Sequence, residues 1–191
     1  MSNEEKYLAM DCETGGIEHD KTLLTAYFGV LNYKLELIDE LDLYCKPDDD
    51  KPYVVTAGGL EINGINLVQH HRQALTYSVC GKKLRDLVIK HSSNGKIKMR
   101  PLGHNVHFDI GHITDKILSK KNWNQYVSYR ALDTQIYAGC LQVKGVIPHD
   151  QSISLIELIK YLNVRGIEGR PHEAKYDTLS TVEVLRKLNK L

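Results

Sequence analysis

An α/β fold is predicted for this chain. Three opening segments, Tyr7 to Glu13, Leu23 to Leu31 and Lys34 to Cys45, are rich in β-branched, aromatic or alternating apolar residues, the mark of pleated strands. Later segments instead show helical spacing interleaved with short extended runs. The 191 residues, 42% hydrophobic and 26% charged, supply a core for one domain over residues 1–191 and show no disordered or fibrous bias.

In order, the three strands come first, with Asn32-Tyr33 as a tight hairpin between the second and third. Val79, Leu84, Leu87 and Val88 fall at helical spacing, so a helix is expected over 79–91, closed by Ser92-Ser93-Asn94-Gly95. A short strand at Met99 to Gly103 leads to a helix from Asp109 to Leu118. A second short strand, Val127 to Ala131, leads to a helix at Asp133 to Leu141. Ser154 to Leu162 and Ala174 to Leu188 read as further helices. No repeat, low-complexity tract or linker-like composition shift interrupts the series.

Composition narrows the function classes. Met1-Ser2-Asn3-Glu4-Glu5-Lys6 is polar and acidic, unlike a secretory leader, and no apolar run reaches membrane-spanning length, so a soluble, intracellular, cytoplasmic protein without membrane contact is expected. Cys12, Cys45, Cys80 and Cys140 are widely spaced with no C-x-x-C pair, which argues for reduced, mostly buried thiols. Net charge is only +1, but residues 1–50 carry 13 acidic and 4 basic side chains, which leaves 11 acidic and 21 basic ones for residues 51–191. Lys82, Lys83, Arg85, Lys96, Lys98, Arg100, Lys116, Lys120 and Lys121 are candidates for a phosphate-facing surface, against the alternative of solvated helix faces. Asp48-Asp49-Asp50 reads as an exposed turn, because three consecutive carboxylates cannot converge on one ion.

Three acidic fragments carry the chemistry: Asp11-Cys12-Glu13-Thr14, Asn105-Val106-His107-Phe108-Asp109 and His172-Glu173-Ala174-Lys175-Tyr176-Asp177. Residues i and i+2 of a strand share a face, so Asp11 and Glu13 project together while Cys12 points into the opposite, packed face. Gly15-Gly16 offers a backbone that a nucleotide can approach, with amides free to bind it. Asp109 suits the first turn of a helix, where the dipole favours an acid, and Asn105 can fix substrate or local backbone. Phe108 reads as core, and His104, His107 and His112 as structural or surface residues. The loop Gly166-Ile167-Glu168-Gly169-Arg170-Pro171 delivers His172 to the mouth of a site while Asp177 is held on the helix behind it. Four gathered carboxylates repel one another unless divalent cations sit among them, and a histidine can take a proton near neutral pH, so the set predicts phosphodiester cleavage with a hard metal.

At these residues the chain resembles the DEDDh family of 3′ to 5′ exonucleases. The resemblance extends over nearly the whole chain, with Ile62-Asn63-Gly64-Ile65 similar to the family's H-G-I segment and Leu132-Asp133-Thr134 to its L-D-T helix start. It implies a ribonuclease H-like α/β domain with a mixed five-stranded sheet, antiparallel at one side, flanked by helices. It implies Asp11, Glu13, Asp109 and Asp177 as ligands of two Mg²⁺ or Mn²⁺ ions and His172 as general base. One ion would hold the attacking water and the other the leaving 3′ oxygen. Thr14, Gly15, Ile62, Asn63, Ile65 and Asn105 would bind the terminal nucleotide, and nucleoside 5′-monophosphates would leave one at a time from a single-stranded DNA or RNA 3′ end. Gly15-Gly16 replaces the bulkier residues usual after E-T, and Asn63 stands where many members have histidine. The alternatives are an RNA-trimming exoribonuclease and a non-catalytic nucleic-acid-binding or polymerase-accessory module. A homodimer or a polymerase or other replication partner fits the family pattern.

Overall fold

The computed structural model describes residues 5–49 and 51–191. Met1 to Glu4, part of the leader reading, and Asp50 of the acidic turn lie outside the described residues. Strands β1 (Tyr7–Thr14), β2 (Leu23–Leu31) and β3 (Leu37–Lys46) form an antiparallel run. Beyond β1 lie β5 (Arg100–Gly103) and β6 (Leu132–Asp133), both parallel additions. A two-residue strand, β4 (Leu75–Thr76), pairs in parallel with β3 at the far edge. Among the described residues the sheet therefore has six strands in the order β4-β3-β2-β1-β5-β6, one more than the five expected. The extra strand is too short to leave a periodic signal.

Among the described residues eight helices surround this sheet: α1 (Ala57–Asn63), α2 (Leu67–Gln73), α3 (Tyr77–His91), α4 (Val106–Lys116), α5 (Lys120–Tyr126), α6 (Thr134–Val143), α7 (Leu155–Tyr161) and α8 (Ala174–Leu188). Alternation along β1 decides the two cores. Leu8, Met10 and Cys12 face one layer with Phe28, Leu84, Val88, Ile113 and Trp123, whereas Ala9 packs the other way with Leu102, Val182 and Leu185 of α8. Phe108 packs on the first of these cores, as expected. A third cluster joins α6, α7 and α8 through Ala138, Leu141, Leu158, Val184 and Leu188. Cys12, Cys45 and Cys80 are free and buried, and Cys140 is free and exposed.

Several expectations need correction. The hairpin between β2 and β3 is not a two-residue turn: Asn32 Oδ1 accepts from the amides of Lys34 and Glu36, and Leu35 takes φ 64°, which moves the start of β3 from Lys34 to Leu37. Val127 makes only an isolated bridge to Met99. The amide of Ala131 turns back to the Tyr129 carbonyl, so pairing resumes at Leu132. The acidic turn after β3 is a turn at Asp48 and Asp49, as expected, and there Asp48 accepts from the amide and hydroxyl of Ser78 and thereby caps α3. Helices α1, α2 and α5 have no counterpart in the sequence reading: each is seven residues long, and α1 carries Gly58-Gly59, so periodicity fails there. Their caps do the specifying, since Thr56, Asn66 and Ser119 each accept from a first-turn amide.

Candidate functional site

Glu13 pairs across β2 with Thr25 and Asp11 with Tyr27, so both acids leave β1 on the face covered by α8 while Cys12 is buried behind them. Asp109 reaches them from α4. That helix begins at Val106, a turn earlier than expected, because Asp133 accepts from the amides of Asn105 (3.2 Å) and Val106 (2.9 Å) while also capping α6. Asp109 thus sits in a first helical turn, 2% exposed, with Oδ1 accepting from the Cys12 amide at 3.0 Å. The helix start is locked to β1 by that bond.

Asp177 lies in the first turn of α8 and is also buried. Its Oδ2 accepts from the His172 amide at 3.0 Å, and its Oδ1 is buried with no hydrogen-bond partner among the described residues. His172 takes φ 64°, a left-handed conformation that is uncommon outside glycine, though histidine adopts it more readily than most side chains. Glu13, His172 and Asp177 each offer one ligand atom, and these atoms lie within 4.8 Å of one another.

Electrostatics binds Asp11 and Asp109 into the same group. Burial, then the charges of Asp109, Glu13 and Asp177, push the Asp11 carboxyl well above its ordinary range. Burial raises Glu13 to about 8, with Asp177 and Asp109 adding to it and Arg170 opposing. Asp109 is raised to about 7 by burial against the pull of the Cys12 bonds, and Asp177 to about 6 by burial against the His172 amide. Such a cluster, without cations, keeps protons at neutral pH. An oxygen-rich donor set with one imidazole and an unpartnered buried carboxylate oxygen fits a divalent cation, whose charge would reverse those shifts.

A cavity of ≈ 310 Å³ opens beside Glu13 and His172. Of the six residues expected to bind substrate, Asn63 and Ile65 line it, and Thr14, Gly15, Ile62 and Asn105 do not. Asn63 is buried, its Nδ2 donating to the Thr14 carbonyl and its Oδ1 accepting from the Ile65 amide, so its amide joins the end of β1 to the turn after α1. The expectation of free amides at Gly15 is corrected: its N–H donates to the Thr22 carbonyl and its carbonyl accepts from the Thr56 amide. A Cβ there would come within 2.6 Å of the Val54 carbonyl, so glycine serves the packing of the 54–56 segment. Thr14 is buried, and Ile62 and Asn105 are exposed outside the cavity.

The lining also includes Thr25, Asp42 and Tyr44 from the sheet, Gln69, His70 and Gln73 from α2, and Arg170 and Lys175, none of which was expected to bind substrate. None of the nine basic residues read as a phosphate-facing surface lines it. His104 bonds Thr134 through Nδ1, His107 is exposed, and His112 is buried against Phe108 and His19, in keeping with structural or surface roles. No helix among the described residues is long and apolar enough to cross a membrane.

No family model matches the chain, and no curated protein matches it. Solved structures do. A structure of exonuclease I, described as suggesting how processivity is achieved, superposes with a TM-score of 0.79 at 20% identity over 97% of this chain and 41% of the other. Escherichia coli exonuclease I with a dT13 oligonucleotide gives 0.78 at 19% identity over 97% and 41%. The zinc-bound form of the E. coli enzyme with single-stranded DNA gives 0.77 at 19% over 97% and 40%. The chain spans about two fifths of the length of these proteins, and what they share with it is the mixed α/β fold.

Proposed function

We propose that the chain is a metal-dependent 3′–5′ exonuclease of the DEDDh type on a ribonuclease H-like domain, acting on single-stranded DNA ends and releasing nucleoside 5′-monophosphates. One observation carries the reading: Glu13 and Asp177 offer ligand atoms within 4.8 Å of one from His172, while Asp11 shares the Glu13 face of β1 and Asp109 bonds the Cys12 amide between those two acids. The fold shared with exonuclease I, solved with single-stranded DNA, supports the choice of DNA.

Asp11, Glu13, Asp109 and Asp177 would hold two magnesium or manganese ions, which when bound supply Lewis-acid stabilisation of charge on the reacting phosphate. With ions held by these four acids, the carboxylates would position the phosphate. His172, at the cavity wall, takes a proton from the attacking water on its imidazole, and the Asp177 carboxylate holds the backbone that presents this ring. Cys12 and His172 amides spend their bonds on orienting acids, so both contribute to preorganisation.

The test is stepwise shortening of a 5′-labelled linear strand with a free 3′ hydroxyl. Activity should vanish in chelator, return with magnesium or manganese, and fall at least about 100-fold in Asp11→Ala, the scale of a lost charge-stabilising group. A circular single strand should resist. Turnover in chelator, or rapid cutting of the circle, overturns the proposal.

A further inference from the structure

The cavity extends well past the carboxylates. Pairing registers place Glu13, Thr25 and Tyr44 in one row across β1, β2 and β3, and Asp11, Tyr27 and Asp42 in the next. Two strand spacings, roughly 9.5 Å, therefore separate Glu13 from Tyr44, about the width of one nucleotide. Asp42 and Tyr44 lie two apart on the same strand face, and the Tyr44 side chain is 39% exposed beside the buried His70 ring at 5.9 Å. Across from them, Gln69 and Gln73 stand four apart on one face of α2, exposed toward the cavity with neither carboxamide hydrogen-bonded among the described residues. Asn66, at the same end, spends its side chain on capping α2. A supported aromatic floor and a wall of two uncommitted amides form a place for a flat, polar-edged group.

We propose that this trough is a base-reading subsite, in which the nucleobase next to the scissile phosphate lies against Tyr44 and turns its edge to Gln69 and Gln73. The inference rests on the exonuclease reading above. A carboxamide offers one donor and one acceptor side by side, the complement of the N6 and N7 atoms of adenine, and Asp42 adds an acceptor for an exocyclic amino group. Thymine has no such amino group. The trough thus favours adenine over thymine beside the cleaved bond, and stacking on Tyr44 accepts any base.

The experiment uses 5′-labelled oligonucleotides identical except at the last two 3′ positions, which are adenine, thymine or abasic. Binding is measured with calcium in place of magnesium, and single-turnover cleavage with magnesium. Wild-type protein should bind adenine ends at least about fivefold more tightly than thymine ends, the lower bound for one good edge contact. Gln69→Leu with Gln73→Leu should bring that ratio close to one. Tyr44→Leu should weaken binding of both base-bearing ends toward that of abasic ends, and Tyr44→Phe, which keeps the ring, should not. The wild-type comparison decides by itself: strand shortening with equal affinity for adenine, thymine and abasic ends overturns the subsite alone. A protein that shortens no strand in magnesium or manganese overturns the exonuclease reading, and this inference with it.

Discussion

At the residue scale, the main consequence of the site is a stability that depends on pH in an unusual direction for carboxylates. Asp177, Asp109 and Glu13 are raised to about 6, 7 and 8, above the ordinary range near 4. Between those limits these carboxyls bind more protons in the folded chain than in the unfolded one, against the opposing pull of His70, His104 and His112, which burial lowers, so the cluster's contribution to stability falls as pH rises from about 4 to about 8. Metal-free protein should therefore melt at a lower temperature at pH 8 than at pH 5.5, and magnesium or manganese should recover more stability at pH 8. Differential scanning calorimetry in chelator and in metal reads this directly, and a melting temperature that rises with pH in chelator contradicts the coupled cluster. Asp11→Asn should stabilise the metal-free protein at pH 8, because it removes the cost of burying an ionisable carboxyl beside three other acids. The acids and His172 were legible in the sequence because each sits in a short motif with chemical meaning. Gln69, Gln73 and Tyr44 were not, since an amide or a tyrosine on a regular element carries no signature until a neighbouring strand places it beside a carboxylate.

Among the elements, the loop from Gly166 to Pro171 sets the presentation of His172. Gly166 and Gly169 take φ of 81° and 114°, and His172 itself takes 64°. At Gly169 a Cβ would come within 3.1 Å of the Tyr176 Cβ, so a β-branched residue there meets both backbone strain and a crowded neighbour. Gly169→Val should lower single-turnover cleavage about tenfold or more while strand affinity changes by less, because the loop moves the imidazole without removing cavity-lining groups. His172→Ala should show the same split more strongly. Wild-type cleavage in His172→Ala would mean that another group takes the proton. Two glycines and a proline marked this segment as a loop in the sequence, and it is one. Helices α1 and α2, which build the other wall, escaped because about two turns of helix give too few apolar repeats to register. The Thr56 and Asn66 caps were the available signals.

Over the whole molecule, charge and site are arranged in a way that the sequence alone suggested differently. The excess of basic residues after position 50 invites the picture of a cationic groove leading to the acids, yet Lys82, Lys83 and Arg85 lie on α3, and Lys120 and Lys121 on α5, in the layer opposite α8. Among the described residues the cavity is lined by two Lys or Arg side chains, Arg170 and Lys175, each already paired, with Glu173 at 2.9 Å and Glu40 at 3.1 Å. Both pairs are about half exposed and so contribute little to stability, which leaves the cations available to phosphates. Sequence counts charge correctly but cannot say which layer of a sheet receives it, because the direction of each helix face is decided by packing. Each phosphate neutralised on a single strand contributes about −0.7 to the slope of log affinity against log salt, so two contacts predict about −1.4. Measured with calcium held constant and potassium chloride varied, a slope near that value agrees with a strand held in the cavity through Arg170 and Lys175. A slope several times steeper would mean that the lysines of the opposite layer engage the strand. In that event Lys120→Gln with Lys121→Gln should flatten it, whereas for a strand confined to the cavity only Arg170→Gln or Lys175→Gln does so.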